Sequence, residues 1–120
     1  MTLSTLGPEA AFDNVGPLAQ LSAYRTVQEC LANAARHAPG APCEVVVDSR
    51  EPAGVVVTVR NGPPPGRVPP GSPKRRGLGL VGMQERADLT GSTLEAGPTA
   101  EGGWQTRLRI PAAETAEVSG

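Results

Sequence analysis

Gln28-Glu29-Cys30-Leu31-Ala32-Asn33-Ala34-Ala35-Arg36-His37-Ala38 is the stretch on which the reading of this chain turns. Wound as a helix, it stacks Glu29, Asn33 and His37 at i, i+4 and i+8 on a single face. Arg25 extends that face by a turn, and Arg36 lies beside it. Leu21, Tyr24, Val27, Leu31, Ala34, Ala35 and Ala38 fall on the other side, where the pattern places the core. A carboxylate, a carboxamide and an imidazole in register can hold a hard cation with its bound phosphates. Oxygen donors suit Mg²⁺, which keeps several waters and takes few protein ligands. The same spacing also fits a solvated helix face with ordinary polar pairs, so it needs a second feature beside it.

That feature is Lys74-Arg75-Arg76-Gly77-Leu78-Gly79-Leu80-Val81-Gly82-Met83-Gln84-Glu85-Arg86-Ala87. A basic cluster leads into a Gly-x-Gly turn, and the turn into a helical pattern. Leu80, Met83 and Ala87 share one face, and Gly91 is the stop. Glycine lets a backbone approach a ligand closely, and the first N–H groups of a helix have no intrahelical partners. Free donors and a positive helix end together favour a phosphate.

Four phrases in order then carry a resemblance. They are Tyr24-Arg25-Thr26-Val27-Gln28-Glu29, Asn33-Ala34-Ala35-Arg36-His37-Ala38, the run Gly77 to Ala87, and Gly102-Gly103-Trp104 before Pro111. They resemble the N box and second glycine box of the ATP-binding catalytic domain of bacterial sensor histidine kinases. More narrowly, the chain looks like the nitrate-sensor-like subfamily typical of actinobacteria. The parent superfamily also holds gyrase-type topoisomerases, a heat-shock chaperone and mismatch-repair ATPases. The fold this implies is α+β, the Bergerat-type ATP-binding fold. It is a two-layer sandwich whose mixed, mainly antiparallel sheet is covered on one face by helices.

The resemblance also implies roles and cofactors, ATP and Mg²⁺. Asn33 would coordinate Mg²⁺. Glu29 would hold or activate a Mg²⁺-linked water or the incoming nucleophile. His37 and Arg36 would meet phosphate oxygens, as would the cations before the second glycine box, Arg76 among them. Gly77 and Gly79 would cradle the phosphates, with Leu78 and Leu80 in the same nucleotide-binding turn. Asn61 occupies the position of the adenine-binding aspartate. Here the chain departs from the pattern, with Asn61, Pro63 and Pro65 where an aspartate and two glycines are usual. Proline fixes φ and removes a donor, so that loop takes another shape. Trp104 likewise stands where a threonine is usual. Weaker base recognition is the expected result.

Composition sets limits. At 120 residues the chain makes one domain with one core. A net charge of −1 gives no reason to expect nucleic acid as a partner. No apolar run approaches the ~18 residues needed to span a bilayer, and the start lacks a signal-peptide pattern. Cys30 and Cys43 lack metal-type spacing and read as free thiols of a reducing cytoplasm. Phe12, Tyr24 and Trp104 are the only aromatics, so Val, Leu and Ala must build the core.

The expected organisation follows. Residues 1–18 form an N-terminal edge strand (2–6) and a loop, 19–111 the kinase-like ATPase domain, and 112–120 a disordered tail. Within the domain lie a helix at 19–38 closed by Pro39-Gly40 and strands at 43–50 and 55–61. The proline- and glycine-rich stretch 62–76, without periodicity, is the expected lid. A helix at 79–90 and strands at 92–97 and 104–110 complete it. On the second strand Val55, Val57, Val59 and Asn61 share a face, so a carboxamide ends an apolar row. It can accept from an adenine amine, or cap a turn with Gly62.

The function this implies is the Mg-ATP-binding catalytic domain of a sensor histidine kinase, a protein histidine kinase part that is not self-sufficient. His37 is the chain's single histidine and lies inside the N box. The acceptor therefore belongs to a separate dimerisation domain, and a response regulator is the indirect partner. The chain is expected to be a monomeric, cytoplasmic catalytic-domain fragment without membrane contact. The alternative is a non-catalytic, nucleotide-dependent interaction module like the related anti-sigma factors.

Overall fold

The computed structural model describes residues 1–7, 15–50, 54–63 and 73–111, with side chains in all of these except 73–80. In chain order the elements are β1 (Thr2–Leu6), α1 (Pro17–His37), β2 (Cys43–Asp48), β3 (Gly54–Asn61), α2 (Pro73–Leu89), β4 (Thr93–Pro98) and β5 (Trp104–Pro111). The strands form one sheet in the order β1-β2-β3-β5-β4. β1 pairs parallel with β2 at one edge, and the remaining pairs are antiparallel. The mixed, mainly antiparallel sheet expected from the resemblance is what the chain builds.

Alternation decides the layers. Val55, Val57 and Val59 of β3 and Leu108 and Ile110 of β5 point to one side and are buried. They share a core with Ala19, Ala23 and Cys30 of α1 and with Met83 and Ala87 of α2. Period-2 strands and period-3.6 helices thus meet on one face of the sheet. Thr58 and Arg60 of β3 and Gln105, Arg107 and Arg109 of β5 take the opposite face, none of them buried. No helix among the described residues is long and apolar enough to cross a membrane.

The helix ends follow from local chemistry. Pro17 opens α1 with a preset φ and no donor to satisfy. At the other end the Ala38 N–H reaches the Ala34 carbonyl at 2.8 Å. Gly91, at φ +71°, ends α2 as expected, and Ser92 N–H closes back onto the Ala87 carbonyl at 2.9 Å.

Two expectations need correction. The first is the roll of α1. Its buried residues are Ala19, Ser22, Ala23, Thr26, Cys30, Ala34 and His37. Leu21 and Tyr24, expected in the core, are 48% and 62% exposed, and Ala35 is exposed too. The helix is turned so that its small residues touch the sheet, which lets the backbone lie close to it. Val27 and Leu31 do pack half-buried against the core as expected, and with Tyr24 they also flank an open apolar groove beside Leu3 of β1 and Val45 of β2. The turn also draws the Glu29–Asn33–His37 row from the outer face towards the sheet.

The second correction is the start of α2, which lies at Pro73 instead of 79. Proline is compatible with a first helical turn, and Lys and Arg are good helix formers, so they extend the helix backwards. The last part of the expected lid and both glycines of the second glycine box are therefore helical. Residues 64–72 of that lid, the tail 112–120 and residues 8–14 lie outside the described residues.

Candidate functional site

Asn61 is the last residue of β3, and β3 lies between β2 and β5. It stands opposite Cys43 on one side and Trp104 on the other. Its side chain is buried, and its Nδ2 donates to the Gly62 carbonyl at 3.0 Å. Gly62 N–H in turn donates to the Pro42 carbonyl at 3.0 Å. The turn-capping reading is therefore realised, and it has a consequence for the ligand reading. With one N–H of the amide committed to a carbonyl, the second N–H and the acceptor oxygen are left for chemistry on the other side of the amide.

α1 brings Asn33 to the same place. Asn33 and Asn61 line one small cavity between helix and sheet, with Cys30 and Ala34 of α1, Val59 of β3, Met83 of α2, and Trp104 and Thr106 of β5. These residues come from both helices and from the neighbouring strands β3 and β5. The cavity measures about 20 Å³, room for roughly one water. Two carboxamides, a hydroxyl and an indole on an otherwise apolar wall make a chemistry suited to a flat heterocycle with polar edges.

Cys30 is buried against Met83, Sγ to Sδ 3.8 Å. Burial pushes its thiol above the ordinary value, while the Thr106 hydroxyl holds it back in part. At neutral pH it is a neutral wall of the cavity.

At the rim, Arg36 Nη2 donates to Asn33 Oδ1, the oxygen that the resemblance assigns to Mg²⁺. Glu29 is half-buried one turn earlier and does not line the cavity. No cluster of three His, Cys, Asp or Glu able to hold a metal is present among the described residues. This donor set fits a cation held mainly by phosphate oxygens and water, with Asn33 as a single protein contact. It does not fit an ion caged by protein.

The other expected site residues are placed differently. His37 is only 4% exposed and belongs to the buried side of α1, not to an open face beside Asn33. The roll of the helix is the reason. Gly77 and Gly79 are inside α2, where a backbone N–H is directed at the carbonyl four residues earlier. The side chains of Arg76, Leu78 and Leu80 lie outside the described residues. Sequence reasoning had not assigned Cys30, Met83 and Thr106 to the site. Thr106 carried a signal, since it shares a strand face with Trp104; Met83 read simply as part of an apolar helix face and Cys30 as a free thiol.

The comparisons with known proteins agree with this architecture. The model of the histidine kinase-, DNA gyrase B- and HSP90-like ATPases matches residues 19–114. The chain belongs to this family. Within it, the chain is 37% identical over 93 residues to the methanol utilization control sensor protein MoxY of Paracoccus denitrificans. That match covers 72% of this chain and 20% of MoxY, so the chain spans about a fifth of that relative's length. Among solved structures it resembles the ATP-binding domain of PrrB from Mycobacterium tuberculosis. The TM-score there is 0.58 at 27% identity, over 79% of this chain and 70% of PrrB's. The histidine kinase domain of the E. coli osmosensor EnvZ shares the fold, with a TM-score of 0.57 at 24% identity over 84% and 70% of the two chains. In the ATPase family this chain corresponds to the ATP-binding domain of sensor histidine kinases.

Proposed function

We propose that this domain binds ATP with Mg²⁺ and presents the γ-phosphoryl group to a histidine on a separate dimerisation domain of a cytoplasmic kinase segment. The observation that carries the reading is the meeting of Asn33 from α1 and Asn61 from β3 in one cavity. The first is the N-box residue of the family and the second stands at its base-binding position.

Asn61 fixes the base. Its Nδ2 is held by the Gly62 carbonyl, and its oxygen is assigned to the exocyclic amine as acceptor. Asn33 would hold Mg²⁺, which when bound neutralises charge on the phosphates. Arg36, exposed at the same rim, neutralises phosphate charge directly once it releases Asn33. Phosphoryl transfer relies mostly on positioning and such charge neutralisation. Glu29 is assigned the proton or water of the incoming nucleophile. Arg76 and the backbone of Gly77, Leu78, Gly79 and Leu80 are assigned to the phosphates. That role requires the first turns of α2 to release their N–H groups from the helix.

His37 is no acceptor in this scheme. It is held in the wall of its own helix, while transfer needs an imidazole within about 3–3.5 Å of the phosphorus. The deciding experiment incubates the chain with labelled Mg-ATP, alone and with the dimerisation domain of its kinase. Acid-labile, base-stable label on the added domain, and none on the chain alone, is the expected result. Mg-ATP binding by calorimetry without any transfer would move the chain to the second reading, a nucleotide-gated interaction module. That reading has Pro63 in its favour, which follows the base-binding position where the kinase pattern has glycine.

A further inference from the structure

We infer that Trp104 is the moving wall of the base cavity and the face on which the purine stacks, an affinity-determining residue of the site proposed above. The inference rests on that nucleotide reading and adds a residue to it.

Its placement is built in by the two glycines before it. A Cβ on Gly103 would run into the Asn61 carbonyl oxygen, so β5 can begin this close to β3 only with glycine there. Gly102, at φ +94°, turns the chain into the strand, and a Cβ there would meet Pro63 at 3.7 Å. Trp104 then lands as the register partner of Asn61. It shares the strand face of Thr106, Leu108 and Ile110, the face that looks at the helices. Those three are buried, whereas Trp104 is half-exposed and lines the cavity.

The size of the cavity then singles it out. About 20 Å³ admits one water, and small-molecule sites begin near ~300 Å³. A purine enters only if a wall moves. Cys30, Ala34, Val59, Asn61, Met83 and Thr106 are each buried and belong to packed helices and strands. Moving one of them opens voids in a close-packed interior. The two half-exposed walls are Asn33 and Trp104, and Asn33 is a small side chain whose movement opens little room. Trp104 alone combines partial exposure, a place at the very start of a strand and the volume of a flat ring. Swung outward, its indole leaves a slot bounded by the Asn61 amide, and it offers an aromatic face to whatever fills that slot. Base-on-aromatic stacking strengthens binding and is tolerant of base identity. Trp104 thus supplies affinity for the ring, and Asn61 supplies the choice of amine.

The chain has one tryptophan, so its emission reports this wall directly. The full 120-residue chain is titrated with Mg-ATP and with adenosine, following tryptophan emission and calorimetry together. Emission is expected to change with both ligands and to reach half of its full change at the dissociation constant found by calorimetry. Trp104→Leu, which keeps an apolar side chain but loses the flat face, is expected to weaken both ligands about tenfold. Trp104→Phe should restore most of that loss. An equal loss for adenosine and ATP locates the effect at the base and away from the phosphates. Calorimetric binding of ATP with unmoved emission, or a Leu variant that binds as tightly as the parent, would overturn the role of Trp104 alone. A parent that binds no nucleotide in calorimetry would overturn the nucleotide reading and this inference with it. Should the Leu variant not fold, the emission titration of the parent still decides.

Discussion

Arg36 donates a hydrogen bond to the Oδ1 of Asn33, three residues before it on the same exposed side of α1. The oxygen best placed for a cation is thus occupied by a cation of the chain itself. An exposed pair at this spacing is worth only about 0.2–0.5 kcal/mol, so a stronger ligand separates it easily. Once released, the guanidinium is free for a phosphate oxygen, and a charge-assisted bond of that kind contributes about 1.5–3 kcal/mol. The second effect wins. Arg36→Ala is expected to leave the melting temperature nearly unchanged and to weaken ATP by roughly tenfold. Calorimetry beside a thermal melt measures both, and tighter ATP binding by the variant would show that Arg36 chiefly blocks Asn33.

Asn33→Ala tests the metal contact. The side chain is half-buried at the cavity rim, so its loss leaves the core intact. A ligand at 100 times its dissociation constant stabilises a protein by about 2.7 kcal/mol. The thermal shift produced by Mg-ATP should shrink in the variant, and the shift without Mg²⁺ should change less. Identical Mg²⁺-dependent shifts in variant and parent would remove Asn33 from the metal.

Asn61→Asp separates the two bonds of one amide. The substitution places a carboxylate oxygen against the Gly62 carbonyl, where an N–H now donates. Losing that bond in a buried site costs about 1–3 kcal/mol, so the nucleotide-free protein should melt lower. The carboxylate is also a stronger acceptor for an exocyclic amine. ATP should therefore gain on GTP in competition binding, although the free protein is weaker. An unchanged ATP/GTP ratio would leave Asn61 as a turn cap and nothing more.

Asp48 and Arg50 carry a pH signature away from the site. Two hydrogen bonds and an ion pair of 2.9 Å from the Arg50 guanidinium and its backbone N–H hold the Asp48 carboxyl down at about 2. A depressed carboxyl adds stability above its unfolded value of roughly 3.9. That contribution is lost as pH falls through the folded value. Both partners stand in water, so the effect on the melt is small and is screened by salt. An NMR titration should find Asp48 near 2 in the parent and close to the ordinary value in Arg50→Ala. Equal titration in the two would discard the pair.

Cys30 gives the opposite sign. Burial raises its thiol, so any stability it confers is fully present below the unfolded value and is lost as pH rises through the folded one. The thiolate is the reactive form. Alkylation of Cys30 at neutral pH is expected to be slow and to accelerate only in more alkaline solution than for an ordinary thiol. Bound ATP should slow it further, because Cys30 lines the cavity. Fast alkylation at neutral pH, unaffected by nucleotide, would place Cys30 outside the site.

The sequence by itself determined the strands, their faces and the family. Alternation along Val55, Val57, Val59 and Asn61, and along Trp104, Thr106, Leu108 and Ile110, is a local property of an extended chain and needs no partner to be read. Proline and glycine marked the ends of α1 and α2 for the same reason, since φ is set residue by residue. What only tertiary structure decided was which side of α1 meets the sheet. The bulky apolar residues Leu21 and Tyr24 outweighed Ala19, Ala23 and Cys30 in the pattern. Close approach of helix to sheet favours the small ones, and that preference exists only once a sheet is there. The same holds for the cavity. Cys30, Asn33, Asn61, Met83 and Trp104 are scattered along the chain, and only the packing of α1 and α2 on β3 and β5 brings them together. The direction of the Asn61 amide follows last, because it is set by one carbonyl, that of Gly62, whose position depends on the turn that Pro42 anchors.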